Sequence, residues 1–264
     1  MPVIYEPSGK AREYSPLACN LYLSCTHMCK YCYAPHVLQR KSDAYFIKPH
    51  PRKDILKNIE AELKVSVPDK QIMLSFIGDV YSDTYDNNAT TRAALELFLE
   101  YGAPVAALTK GGNRCLRDID LFKAFGNRIQ IGTTLTFWNA SKSREWESGA
   151  ALPAERIAVM KTLKDSGIKT FASFEPVIEI SESLAVLEKS LEYDCIDHYK
   201  IGKVDRDFWA EKTPNWEFWL TKSLELLRYA NKQVYVKRGI REAAPNIEIF
   251  PHEIDADRYA TSKV

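Results

Sequence analysis

Three neighbouring cysteines are the residues of this sequence best suited to chemistry. Cys25, Cys29 and Cys32 stand in the run Leu-Ser-Cys-Thr-His-Met-Cys-Lys-Tyr-Cys-Tyr. A loop with Cys-x3-Cys-x2-Cys spacing can wrap a cubic iron-sulfur cluster and place three thiolates on three irons. The fourth iron of such a [4Fe-4S] cluster then has no protein ligand and is open to a small molecule. A structural zinc site asks instead for a fourth Cys or His, and His27 inside the loop or His36 just beyond it supplies one. Three close thiols with no metal is the third reading. Cys19, Cys115 and Cys195 stand alone, as buried and inert thiols do.

The elements that must position this loop are legible as two periods. Apolar, β-rich runs at 17–23, 72–77, 105–108, 129–135, 170–174, 196–201 and 234–236 predict buried strands. Helical spacing is predicted over 51–65, 90–101, 116–125, 153–166, 182–192 and 215–230. Gly102 and Gly167 fall where left-handed C-caps are expected, and Pro153 and Pro214 where helices begin. Strand then helix, repeated, predicts an α/β fold of parallel βαβ units, closed into a barrel or opened into a doubly wound sheet. In both, reactive residues gather at the C-terminal ends of the strands. The cysteine run follows the first predicted strand and meets that condition.

With 264 residues, 45% of them hydrophobic, and no linker or repeat, the sequence reads as one domain over 1–264. Its 36 Lys and Arg against 35 acids exclude a global field for polyanions. Local basic clusters remain at Lys30, Arg40, Lys41, Lys48, Arg52 and Lys53, and at Lys237, Arg238 and Arg241. No run approaches the roughly 18 apolar residues of a membrane span, and the first residues lack a signal peptide's apolar centre. A cytoplasmic protein without membrane contact is expected, and few, clustered cysteines suit a reducing compartment.

The cysteine run, with aromatic Tyr31 before its last cysteine, resembles the cluster signature of the radical S-adenosylmethionine superfamily. Within that superfamily the chain is similar to the spore photoproduct lyase and DNA-repair-photolyase-like branch from about residue 17 to about residue 180. The resemblance is carried further by Ile77-Gly78-Asp79-Val80-Tyr81, Leu108-Thr109-Lys110, Leu116-Arg117-Asp118-Ile119-Asp120-Leu121, Thr133-Thr134-Leu135-Thr136 and Glu175-Pro176-Val177-Ile178. It implies a partial or near-complete (β/α) TIM-type barrel, with a core over about 17–205 and a C-terminal extension over about 206–264. It implies a [4Fe-4S] cluster on Cys25, Cys29 and Cys32 whose open iron binds S-adenosylmethionine. Reductive cleavage then gives a 5'-deoxyadenosyl radical that abstracts hydrogen from a substrate, and the electron comes from a donor such as flavodoxin or ferredoxin.

The same resemblance assigns cofactor binding to Tyr31, Gly78, Asp79, Lys110, Thr134 and Val177. Gly78 would let backbone approach a ligand, and Asp79 would meet an ammonium or ribose hydroxyl. Lys110 would neutralise the methionine carboxylate, Thr134 would offer its hydroxyl to carboxylate or ribose, and Val177 would face adenine. No residue is assigned to substrate chemistry. The branch implies a nucleobase in DNA or a nucleotide as substrate, for repair or modification. A peptide or small metabolite is the alternative, and a non-catalytic iron-sulfur or zinc protein is the alternative of another class. One departure matters: true spore photoproduct lyases carry a hydrogen-returning cysteine where this chain has Ile77. Cys115 or Cys195 would replace it only if folding brought one to the barrel mouth. His198 and Lys200 share one face of a predicted strand and would approach substrate from the interior. Trp209, Trp216, Trp219, Trp138 and Trp146 would either stack bases or anchor core.

Overall fold

In the computed structural model, which describes residues 2–204 and 212–263, the strands form one sheet in the order in which the chain makes them. They are β1 (Ile4–Tyr5), β2 (Leu17–Cys19), β3 (Ile72–Leu74), β4 (Val105–Thr109), β5 (Ile129–Thr134), β6 (Lys169–Phe174), β7 (His198–Ile201) and β8 (Gln233–Val236). Neighbours from β2 to β8 are parallel, and β1 runs antiparallel to β2. Strand order that follows chain order is the winding of a barrel; a doubly wound sheet reverses at a switch point. The seven predicted parallel strands are all present, and β1 is an addition.

Among the described residues the helices are α1 (Ala34–Val37), α2 (Ser42–Tyr45), α3 (Ile55–Val65), α4 (Ala89–Glu100), α5 (Ile119–Phe125), α6 (Ala140–Trp146), α7 (Pro153–Asp165), α8 (Ile180–Glu192), α9 (Trp216–Tyr229) and α10 (Arg238–Ala243). Their apolar stripes cover the outer face of the sheet. α3 buries Ile55, Ile59 and Leu63, one residue per turn, and α4 buries Ala94, Leu95 and Phe98. Gly102 and Gly167 have φ of +76° and +79° just after α4 and α7, as predicted. Pro153 is the first residue of α7, whereas Pro214 precedes the N-cap of α9, Asn215. The inner face holds a small apolar cluster of Ala18, Met73, Ala106 and Phe171.

β1 and β8 are not paired with each other, so the barrel is partial. The chain fills the opening with its own N-terminal turn. The Glu13 carboxylate accepts from the Tyr235 hydroxyl at 2.9 Å and the Arg238 amide at 2.7 Å, and its carbonyl accepts from Lys200 Nζ at 2.8 Å. The C-terminal segment closes the floor. Thr261 donates to Gln71 Oε1, Ser262 bridges to Lys70, and the Tyr259 ring lies 4.6 Å from that of His198.

Two expectations are corrected here. His198 and Lys200 do face the interior, but the terminal segments cover them, so they meet Tyr259 and Glu13 rather than a substrate. Lys237 is no surface cation: it is 1% exposed, paired with Glu175, 4.1 Å from the Tyr14 ring. Among the described residues no helix is long and apolar enough to cross a membrane.

Candidate active site

The cysteine loop begins where β2 ends, and β2 ends early because Asn20 turns away from the ladder. Its Oδ1 accepts from the amides of Phe76 and Ile77, both at 2.9 Å, which clamps the turn after β3 beside the loop. Cys25 and Cys29 are buried and Cys32 is partly exposed. Ala34, Tyr45 and Ile77 close over Cys25, with Leu23, Cys32, Leu38 and Phe46 around them. Burial pushes the Cys25 thiol up to about 12, and raises Cys29 and Cys32 as well.

The donors around the loop bear on which group it could hold. Both ring nitrogens of His27 are engaged, Nε2 with Asp79 Oδ2 at 2.9 Å and Nδ1 with the Gly149 carbonyl at 3.1 Å. His36 is exposed on α1. A cluster sets each thiolate on its own iron, and three thiols on one closed loop fit it. The zinc reading loses the histidine it needed.

Asp79 has no acceptor position left for a ligand. Oδ1 accepts from the Tyr81 amide at 2.8 Å and the Thr109 hydroxyl at 2.7 Å; Oδ2 accepts from His27 and, at 2.7 Å, from the Lys110 amide. Burial alone would raise its pKa, but His27 and the two amides hold the carboxyl well below the usual range. Gly78 serves the same junction: at φ +80°, a β-carbon there would lie 2.5 Å from the Ser24 carbonyl oxygen. Its bareness lets the turn after β3 approach the cysteine loop, not a ligand. Gly149 does likewise from the other side, with an added β-carbon 1.9 Å from the Thr26 carbonyl oxygen.

Lys110, just past β4, is held among negative groups. Burial would lower its pKa, yet Cys29 and the Glu147 carboxylate raise it, and its Nζ lies 5.9 Å from the centre of the Tyr31 ring. The Tyr31 hydroxyl donates to Glu147, and burial raises its own pKa far above the ordinary value. Glu147 is bonded by Arg156 Nη2 at 2.5 Å, with both side chains excluded from water. Arg156 also donates to the carbonyls of Ala151 and Thr134. A bridge between Cys29 and Glu147 completes the connection. Thr134 is at the C-terminal end of β5, and Val177 is buried in the main core just past β6.

The structure thus gathers Tyr31, Gly78, Asp79, Lys110 and Thr134 around the cysteine loop, while Val177 belongs to the main core. Sequence reasoning missed Asn20, Glu147, Gly149 and Arg156. Arg156 was the findable one, since it interrupts the apolar stripe of α7 at Met160 and Leu163. Cys115 and Cys195 are fully buried in the core, their thiols pushed up to about 12 by burial, so neither reaches the mouth. Trp219 is a core anchor, its Nε1 bonded to Ser183 at 3.0 Å with Trp216 packed edge-on. Trp209 lies outside the described residues.

No family model matches the chain. An uncharacterised protein of Methanocaldococcus jannaschii is 29% identical over 163 residues, 60% of this chain and 59% of that protein. An uncharacterised protein of Acidianus two-tailed virus is 23% identical over 210 residues, 70% and 66% of the two. The chain therefore spans less than two thirds of the length of these curated relatives. Among solved structures, SuiB of Streptococcus suis bound to S-adenosylmethionine superposes with a TM-score of 0.60 at 13% identity, covering 88% of this chain and 53% of SuiB. A spore photoproduct lyase variant with bound S-adenosylmethionine and dinucleoside spore photoproduct gives 0.59 at 13%, covering 87% and 65%. Methylornithine synthase gives 0.54 at 14%, covering 96% and 79%. At such identities the likeness is one of fold, a partial barrel shared with these three enzymes.

Proposed function

We propose that this chain is a radical S-adenosylmethionine enzyme, with a [4Fe-4S] cluster on Cys25, Cys29 and Cys32. The observation that carries the reading is the placement of that loop. It lies at the C-terminal strand ends of a partial barrel, locked to the turns after β3, β4 and α6, with Lys110 beside it. When bound, the reduced cluster supplies one electron to cleave the sulfonium and so generate the 5'-deoxyadenosyl radical.

The remaining roles belong to the chain. Lys110, kept cationic by Cys29 and Glu147, neutralises the methionine carboxylate. Thr134 offers a hydroxyl from the end of β5, and Val177, whose side chain is buried in the main core, has only its backbone to offer adenine. Asp79, Gly78 and His27 hold the loop in place, and Ala34, Tyr45 and Ile77 keep water from Cys25. The substrate in this reading is a nucleobase in DNA or a nucleotide. It is supported by the motifs shared with the photolyase-like branch and by the fold shared with spore photoproduct lyase. Ile77 removes the hydrogen-returning cysteine, so the radical's fate differs from dimer repair by that route.

Anaerobic reconstitution, followed by iron and sulfide counting and dithionite reduction with S-adenosylmethionine, tests the first part. About four irons per chain and release of 5'-deoxyadenosine are expected, both lost in Cys25→Ala, Cys29→Ala and Cys32→Ala. A chain that takes up no cluster overturns the reading. For the substrate, affinity for oligonucleotides should fall steeply with salt, by about 0.9 log units per log unit for each phosphate contacted. Salt-insensitive binding of a peptide or metabolite would sink the nucleobase reading.

A further inference from the structure

The run Leu116-Arg117-Asp118-Ile119-Asp120-Leu121 has no part in the cysteine site. It begins inside a 3-10 helix over Gly112–Asp118, in the connection after β4. Side chains three apart on such a helix eclipse one another, so Arg114 and Arg117 project side by side. Both line an open cavity of about 460 Å³, together with Arg92 of α4 and with Asn87, Asn88 and Asn113. Among the described residues no carboxylate joins that lining.

The acids nearby are committed elsewhere. Asp120 is bonded to Arg92 through both Nη atoms, at 3.0 and 2.7 Å, and Glu96 lies 3.1 Å from Arg92 Nε. Asp118 is fully buried, accepts from Arg92 at 3.1 Å and from the Tyr81 hydroxyl at 3.0 Å, and stands 3.7 Å from Arg117 Nε. Arg117 donates to the Asn87 carbonyl. Arg114 Nε donates to the Tyr81 carbonyl at 2.7 Å, that guanidinium's one hydrogen bond among the described residues, and its Nη2 is shut from water without a partner. Two guanidinium groups side by side repel, and a buried donor left unbonded is unfavourable. An anion drawn against the pair offsets the repulsion and brings acceptors. The wall it meets is already set, since Asn88 Nδ2 is bonded to the carbonyls of Val80 and Ser82 at 3.0 and 2.9 Å, and binding therefore orders little.

We propose that this cavity binds a phosphate group. The two oxygens of a carboxylate are filled by one guanidinium fork, whereas a phosphate has oxygens for two. With about 460 Å³ the cavity exceeds what an ion needs and matches small-molecule sites, so the phosphate is one carried on a nucleotide or in a nucleic-acid backbone. The cavity adjoins the cysteine site: Arg114 is four residues past Lys110, and the Tyr81 that it holds by the carbonyl is held by Asp79 at the amide. There it anchors substrate beside the barrel mouth, a role that rests on the nucleotide or DNA reading of the substrate. Phosphate binding itself needs no cluster.

Calorimetry on the full, cluster-loaded chain tests this with inorganic phosphate, succinate, thymidine, thymidine 5'-monophosphate and a double-stranded oligonucleotide as probes. Phosphate should bind more tightly than succinate. Arg114→Gln and Arg117→Gln should each weaken it about tenfold, and Arg114→Lys, which keeps the charge without the fork, should fall between. The Arg117 side chain is partly exposed, so its variant reports even where Arg114→Gln fails to fold. Thymidine 5'-monophosphate bound well above thymidine, and weakened in the variants, supports a nucleotide as the source. An oligonucleotide whose log-log salt slope flattens by about 0.9 in each variant supports the backbone instead. No phosphate binding, wild-type affinity in both glutamine variants, or succinate bound as tightly as phosphate overturns the inference. A chain that takes up no iron and sulfide but still binds phosphate fails the enzyme reading alone.

Discussion

His27 Nε2 lies 2.9 Å from Asp79 Oδ2, and this contact joins the cysteine loop after β2 to the turn after β3. The other three acceptor positions of Asp79 are filled from Thr109, Lys110 and Tyr81. One carboxylate thereby fixes the relative position of three strand ends, and the geometry of the cysteine loop is inherited from the sheet.

Asp79→Asn tests this. Either orientation of the amide turns its NH2 toward a backbone N–H, that of Tyr81 or that of Lys110, so at least one bond is replaced by repulsion and the charge that attracts the other donors is lost. A loss of about 2–4 kcal/mol is expected from buried groups left unsatisfied. Urea unfolding should show it as a lower midpoint at unchanged slope, and reconstituted iron per chain should fall. A wild-type midpoint would mean that Asp79 is not what ties these ends together.

Glu147 and Arg156 form the second tie, between Cys29 and the end of β5. Arg156→Met strips the buried Glu147 carboxylate of its bonded guanidinium, leaving only Lys110 as a nearby cation, and should cost about 3 kcal/mol. The double variant Glu147→Gln with Arg156→Met should recover part of the loss, giving a coupling above about 1 kcal/mol in a double-mutant cycle. Additive effects would show the pair to be energetically independent.

Gly78→Ala should be far more damaging than Gly167→Ala, though both glycines have positive φ. At Gly167 an added β-carbon meets nothing within 4 Å, and at Gly78 it meets the Ser24 carbonyl oxygen at 2.5 Å. Positive φ costs an alanine about 1–2 kcal/mol at either position; the excess at Gly78 measures the close approach. Equal shifts in melting temperature would remove that role.

Lys200 makes stability depend on pH. Burial, with Lys237 next, lowers its pKa to about 7, opposed by Asp257 and Glu13. Between about 7 and the unfolded value near 10.4 the unfolded chain binds the extra proton. Stability from this group therefore rises with pH across that window, by up to about 1.4 kcal/mol per unit, and is level below it. Urea unfolding near pH 7 and near pH 9 should show the rise in the wild-type chain, and Lys200→Met should be more stable near pH 7 and lack it. An identical rise in the variant would assign the effect elsewhere.

Much of the frame was legible because burial leaves a period in the sequence. The seven parallel strands and the longer helices follow from it, and the cysteines announce themselves by spacing. What the sequence hid was where a polar group spends its bonds. Asp79 reads equally well as a ligand for a cofactor or as a tie between loops, and only the four donors around it decide. Glu147 carries no local signal, since its partner comes from the next helix. β1 has two residues, too few for any alternation to show. Lys237 looked like part of a surface cluster because its partner Glu175 is 62 residues away.

The floor of the barrel has a consequence for biosynthesis. Thr261 bonds to Gln71, 190 residues earlier in the chain. At the usual pace of translation, the interval between the two emerging from the ribosome is roughly 10–40 s. Until it closes, Gln71 and Val105, and His198 once it is made, have no cover from the segment that will seal them. The nascent barrel is a cup open to water at its base, and Lys200 remains hydrated and charged until residues 256–261 arrive.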